Sequence, residues 1–245
     1  MIDRRRLTEL TEEVDELHHE SMRTIRDELG EAHLGELAPG FRSNRRRFLT
    51  RMAAGGAVLT AGSMVAPIAG LVPAASAATS DLDLVRYMAS LELAFVEIYR
   101  EAADTQKLRL HVATAASTFG GHHQDHADAL NTLIGETGTV SDPNKKLLQQ
   151  YKSTIRGAAD EDAVLNILYG VEEAAASTYL ASIGALTDAT DAGTLATILP
   201  VESQHATVLG SLLQKPSTSY LIDFVTTDSA LDIKDYPVPA GEQQP

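Results

Sequence analysis

The chain has 245 residues, 44% of them hydrophobic, and no cysteine. That length sets an expectation of one main domain plus an extension, and the missing cysteine excludes disulfides, zinc thiolates, iron–sulfur clusters and cysteine nucleophiles. The formal net charge is −14 and lies almost wholly beyond residue 77, which disfavours nucleic acid as a partner and suits solubility or cation handling.

In chain order, the first element is an N-terminal extension, residues 1–42. Leu7, Leu10, Val14, Leu17, Ile25 and Leu29 recur at three- and four-residue steps, interrupted near Ser21. The spacing predicts an amphipathic helix to about residue 38, marginal when alone. Such a helix could bind a partner, self-associate or be discarded. His18, His19 and Glu20 read as a solvated helix face rather than a metal group.

Residues 43–77 follow. Arg45-Arg46-Arg47-Phe48-Leu49 precedes a run of small and apolar residues, broken by Gly55, Gly56, Gly62, Pro67, Gly70 and Pro73. The run ends Ala75-Ser76-Ala77-Ala78, a small-x-small cleavage site after Ala77. Basic, apolar and small-residue regions in that order make a signal peptide, and the Arg45–Arg46 pair resembles a twin-arginine (Tat) signal. The resemblance implies the Tat translocon as partner, export of a folded chain, and a periplasmic, envelope or external location. Uncleaved, residues 52–77 are long enough to anchor the chain in a membrane. The glycines, prolines and Ala-Ser-Ala exit favour cleavage.

The main region, 78–213, reads as long helices. Residues 81–105 carry apolar positions at helical spacing, with Thr79, Ser80 and Asp81 as N-cap candidates. The pattern resumes at 108–134, broken once at Gly120-Gly121. A turn-rich loop and a short helix at 145–155 follow. Further helices are expected from Asp160-Glu161-Asp162 to about 186, and over 191–213 with a kink or opened ladder at Pro200. The tail, 214–245, contains 220–225, a short strand or an extended segment. Four long helices with little strand signal predict an all-α bundle.

Two stretches of this bundle repeat. Leu91-Glu92 through Tyr99 is echoed by Val171-Glu172 through Tyr179, and His122-His123-Gln-Asp-His126 by Val201-Glu202-Ser-Gln-His205. The bundle is thus two helix hairpins, each with a carboxylate on its first helix and a pair spaced by three on its second. Residues three apart share a helix face, so Glu202 with His205, and His123 with His126, can each reach one centre. Carboxylate and imidazole together suit iron, manganese or zinc. Tyr99 and Tyr179 read as core tyrosines, with a hydrogen bond to Glu92 or Glu172 as the functional alternative. His122, four residues before His126, is the second choice for the place given to His123. His111 reads as a surface histidine, and Glu97 and Glu173 as solvated or as supports behind the ligands. Heme is disfavoured: there is no Cys-x-x-Cys-His and no evident axial methionine pair.

The order Glu, His-x-x-His, Glu, Glu-x-x-His over about 81–213 resembles the ferritin-like superfamily of rubrerythrins and ferritins, and most of all its Tat-exported bacterial members. The resemblance implies a ferritin-like four-helix bundle holding one or two iron or manganese ions. In it Glu92 and Glu172 are terminal ligands, His126 and His205 cap the two metals, and Glu202 bridges them. It further implies a di-iron type oxidoreductase, oxidising Fe(II) or reducing oxygen or peroxide. The departure is His123, which stands where the family has its second bridging Glu. Three Glu against two divalent ions leave one positive charge, so an anion must enter or the second metal binds weakly. The alternative is a non-catalytic envelope or stress protein with a degenerate or single-metal site. Homo-oligomers are compatible with the chain, but nothing in it announces cage-forming surfaces.

Overall fold

A computed structural model describes residues 3–35, 80–136, 138–220 and 226–239. These contain seven helices and no strand: α1 (Arg4–Gly35), α2 (Asp81–Asp104), α3 (Leu110–Ile134), α4 (Lys145–Gly157), α5 (Glu161–Ala185), α6 (Ala189–Leu212) and the single turn α7 (Ser217–Tyr220). The twin-arginine pair, the apolar run, the cleavage site and residues 221–225 lie outside the described residues. No described helix is long and apolar enough to cross a membrane.

The helix starts are set by local chemistry. Ser80 accepts the backbone N–H of Asp83, while the Asp83 side chain accepts that of Ser80, a reciprocal capping box. Asp160 and Asp188 cap α5 and α6 in the same way from one side, accepting the N–H of Ala163 and of Thr190 and Asp191. Short connections fold α2 back on α3 and α5 back on α6, and these are the two most extensive packings in the molecule. The hairpins then meet through α2 with α5 and α3 with α6. The all-α expectation holds, with element ends within about two residues of those read from the sequence.

One expected interruption is absent and the other is confined to the hydrogen-bond ladder. α3 runs unbroken through Gly120 and Gly121, and the reason is packing: a Cβ on Gly120 would stand 3.2 Å from Tyr99 Cβ, so the glycine lets α2 and α3 approach closely. α6 is continuous through Pro200, which only deprives the Ala196 carbonyl of its helical donor.

The larger correction concerns α1. The amphipathic helix is there and unbroken at Ser21, and it packs along α3 and α6, while α4 packs along α2 and α5; what changes is its buried face. Its buried seam is Leu7, Thr11, Val14, His18 and Ile25, whereas Leu17, counted into the apolar stripe from sequence, is 48% exposed. The true seam is rotated from the one the leucines suggested. Each of Leu7, Val14 and Ile25 contributes about 1.5–3 kcal/mol on full burial, enough for a helix that is marginal alone to dock.

Candidate metal centre

Glu92 comes from the middle of α2, His123 and His126 from α3, Glu172 from α5, and Glu202 and His205 from α6. All six side chains are fully buried. They form two overlapping groups of four whose ligand atoms lie within 4.8 Å of one another. One is Glu92, His123, His126 and Glu202; the other is His123, Glu172, Glu202 and His205. Each hairpin therefore supplies one terminal Glu and one terminal His, and the shared members are His123 and Glu202, the two positions at which the repeats differ.

His123 holds the centre together. Its Nδ1–H donates to Glu92 Oε2 at 2.8 Å and its Nε2–H to Glu172 Oε1 at 3.2 Å, joining the two hairpins. His205 Nδ1 lies 3.3 Å from Glu172 Oε2 and 3.5 Å from Glu202 Oε2. His126 Nδ1 stands 2.9 Å from Glu202 Oε1 and 3.7 Å from Glu92 Oε2. The tyrosines take the functional alternative, and they do so crosswise. Tyr179 on α5 donates to Glu92 Oε1 at 2.5 Å, and Tyr99 on α2 donates to Glu172 Oε1. Each repeat thus orients the other's carboxylate.

The titrations follow from burial set against ion pairing. Burial alone would lower the histidines, but Glu202, Glu172 and Glu92 outweigh it and hold His123 well above its ordinary value. Glu202 and Glu92 likewise lift His126 to about 9, and Glu172 raises His205. Burial would raise the carboxylates, but His123 and His126 bring Glu92 down to about 2, and His123 and His205 hold Glu172 well below the usual range. The metal-free centre is therefore three carboxylates balanced by three imidazoliums, with His123 where a cation would bridge.

A pH dependence follows for the metal-free protein. His126 contributes stability that is complete below 6.5 and lost as pH rises through about 9, and His123 and His205, raised in the same direction, also lose theirs on the alkaline side. On the acid side, burial and the nearby His126 lower His18 to about 4, so its contribution is lost as pH falls from 6.5 towards 4. The Glu92 contribution is lost between 4.5 and about 2. Melting in excess chelator should peak near pH 6.5 and fall on both sides; a melting temperature that climbs steadily to pH 9 would contradict the ion-pair assignment.

The residues fit a metal. His126 Nδ1 and Nε2 and Glu202 Oε1 and Oε2 are buried without a hydrogen-bond partner. Their close approaches lie within ion-pair distance but off hydrogen-bond geometry. Leaving such groups unmatched costs about 1–3 kcal/mol each, which a cation between them would offset. The nitrogen and carboxylate donor set suits iron or manganese.

Other singled-out residues fall outside the two groups. His122 is buried, with its Nδ1 2.9 Å from His205 Nε2 and its Nε2 3.0 Å from Asp15 Oδ1, so it supports His205 rather than replacing His123. Glu97 pairs with Arg100 and Lys152 at the surface, and Glu173 is exposed. His111 is partly exposed. His18 is the residue sequence reasoning misjudged: it is fully buried and bonds Asp125 at 3.0 Å. With His19 and Asp125 it makes a third, outer group of metal-competent side chains among the described residues.

Four antiparallel helices with carboxylates and imidazoles converging at mid-bundle define the class of carboxylate–histidine bundle proteins. A family profile described as Ferritin-like domain matches residues 80–215, more than half of the chain, and the chain belongs to that family. No curated protein and no solved structure matches it.

Proposed function

We propose that this chain is an exported ferritin-like metalloprotein that holds iron or manganese at the six-residue centre and oxidises Fe(II), or reduces oxygen or peroxide, there. The observation that carries the metal reading is the set of four buried atoms without a hydrogen-bond partner on His126 and on Glu202, the carboxylate that both groups share. Glu92 and His126 would serve one position, Glu172 and His205 the other, with His123 and Glu202 shared. A bound metal supplies one-electron redox chemistry. The chain's own residues do the rest. Tyr99 and Tyr179 fix the terminal carboxylates, burial excludes bulk water, and the three histidines give up their protons as metal enters, so affinity rises with pH.

With Fe(II) as substrate, two ions each give one electron to one peroxide, which takes up two protons and leaves as two waters. His123 favours a second reading, a single-metal centre with no catalytic turnover, because imidazole does not normally bridge two ions as a carboxylate does. The test is to load metal-free protein with Fe(II) under anaerobic conditions and then add peroxide. Fe(III) should appear faster than in protein-free buffer, and by more than tenfold as an order-of-magnitude expectation for a metal-assisted step. Bound iron that oxidises no faster than free iron would remove the enzymatic reading and leave the single-metal one.

Export by the Tat route rests on Arg45, Arg46 and the Ala75-x-Ala77 exit alone. It fits a protein that loads its metal while folding, before transport. Membrane contact through 52–77 applies only to the uncut chain.

A further inference from the structure

We propose that α1 is a detachable cap of the metal centre, which sets ligand His205 through Asp15 and His122 and closes the α3–α6 face, so that metal is held tightly only while α1 is docked. This inference rests on the metal-binding reading above.

The cap sits on the helices that carry four of the six candidate ligands, His123 and His126 on α3 and Glu202 and His205 on α6. Its seam, Leu7, Thr11, Val14, His18 and Ile25, advances by four, three, four and seven residues, the alternation that keeps one face towards a partner. At the position nearest the centre the seam carries histidine instead of an aliphatic side chain. His18 is fully buried, its ring stacks on His122 with centroids 3.9 Å apart, and it meets His126 edge-on at 5.1 Å. Its Nε2–H donates to Asp125, and its Nδ1 has no partner. A leucine there would pack at lower desolvation cost, so the seam gives up stability at the point that touches the centre.

The second link is a relay of hydrogen bonds. Asp15 Oδ1 accepts from His122 Nε2–H at 3.0 Å, which fixes His122 Nδ1 as an acceptor. That atom faces His205 Nε2 at 2.9 Å, leaving His205 Nδ1 turned to Glu172 and Glu202. The tautomers agree whether His205 Nδ1 carries a proton or a metal. An acidic side chain from α1 thus positions a ligand on α6 through a histidine on α3, the arrangement by which outer partners tune a metal site. Departure of α1 would uncover His122 and His126.

The test uses the full chain loaded with Co(II), whose visible spectrum reports coordination, and follows loss of metal to excess chelator. Leu7→Asp with Val14→Asp undocks the seam. Asp15→Ala removes the acceptor and breaks the relay at a side chain that is 41% exposed and can be changed without opening the seam; Asp15→Asn keeps an acceptor oxygen. Metal loss should be about tenfold faster or more in the double variant and in Asp15→Ala, with a changed Co(II) spectrum for Asp15→Ala and recovery in Asp15→Asn. Wild-type rates and spectra in both variants would overturn the cap and leave the metal centre standing. A wild-type chain that takes up no Co(II) would overturn both.

Discussion

Replacing His123 with glutamate is expected to destabilise the metal-free protein and to raise the number of metals it holds. In the metal-free centre His123 donates to Glu92 and Glu172 from its two ring nitrogens, at 2.8 and 3.2 Å. His123→Glu removes that positive charge and adds a fourth carboxylate, leaving four against two imidazoliums. Breaking a buried ion pair this way costs about 3–5 kcal/mol, a fall in melting temperature on the order of 10 °C for a domain of this size. With two divalent ions bound the balance reverses, because four carboxylates neutralise them where three do not. Metal should therefore raise the melting temperature of His123→Glu by more than it raises that of wild type, and the count per chain should move towards two. An unchanged metal-free melt would show that His123 is not the cation of the centre.

Glu202→Ala should have the largest effect on metal itself. Glu202 belongs to both groups, and its oxygens make ion-pair approaches to His126, His205 and His123 but no hydrogen bond. Losing an outer partner of a ligand commonly weakens metal by about 10–100-fold, and losing the shared ligand should exceed that. The metal-free fold should also lose stability, because His126 loses its 2.9 Å ion-pair partner, but less than metal binding does, since His123 and His205 keep their contacts with Glu92 and Glu172. A variant that binds metal normally while melting much lower would mark Glu202 as structural.

Much of this was legible in the chain because helical period and ligand spacing are the same signal. Glu92, His126, Glu172, Glu202 and His205 sit three or four residues from apolar neighbours that face the same interior, so the pattern that predicts the helices also predicts convergence. The repeat gave the pairing of helices for the same reason. The crosswise tyrosines were half legible: Tyr99 and Tyr179 follow Glu92 and Glu172 by two turns on one face, but which carboxylate each reaches depends on how the hairpins are set side by side. Gly120-Gly121 misled because a glycine that ends a helix and one that admits a neighbouring tyrosine look alike in one dimension.

α1 was the least legible element. Its leucines point to a stripe through Leu10 and Leu17, yet the docked seam runs through Thr11 and His18. The groove between α3 and α6 offers His122, Asp125 and His126 as well as apolar surface, and it takes up polar side chains that an apolar-periodicity reading assigns to solvent. The signal that could have found it was the alternation of four- and three-residue steps from Leu7 to Ile25 with histidine inside it. The role of His123 was legible as a departure, but its meaning was not. Spacing placed it at the bridging position; only the distances make it a cation paired with two glutamates.

Six buried side chains from four helices form a centre for metal. The most direct measurement is elemental analysis of the purified full chain from cells grown with ample iron and manganese, beside Glu202→Ala prepared identically. About one to two equivalents are expected per wild-type chain and near none in the variant. Fewer than about 0.2 equivalents in wild type, or equal metal in the two proteins, would contradict it.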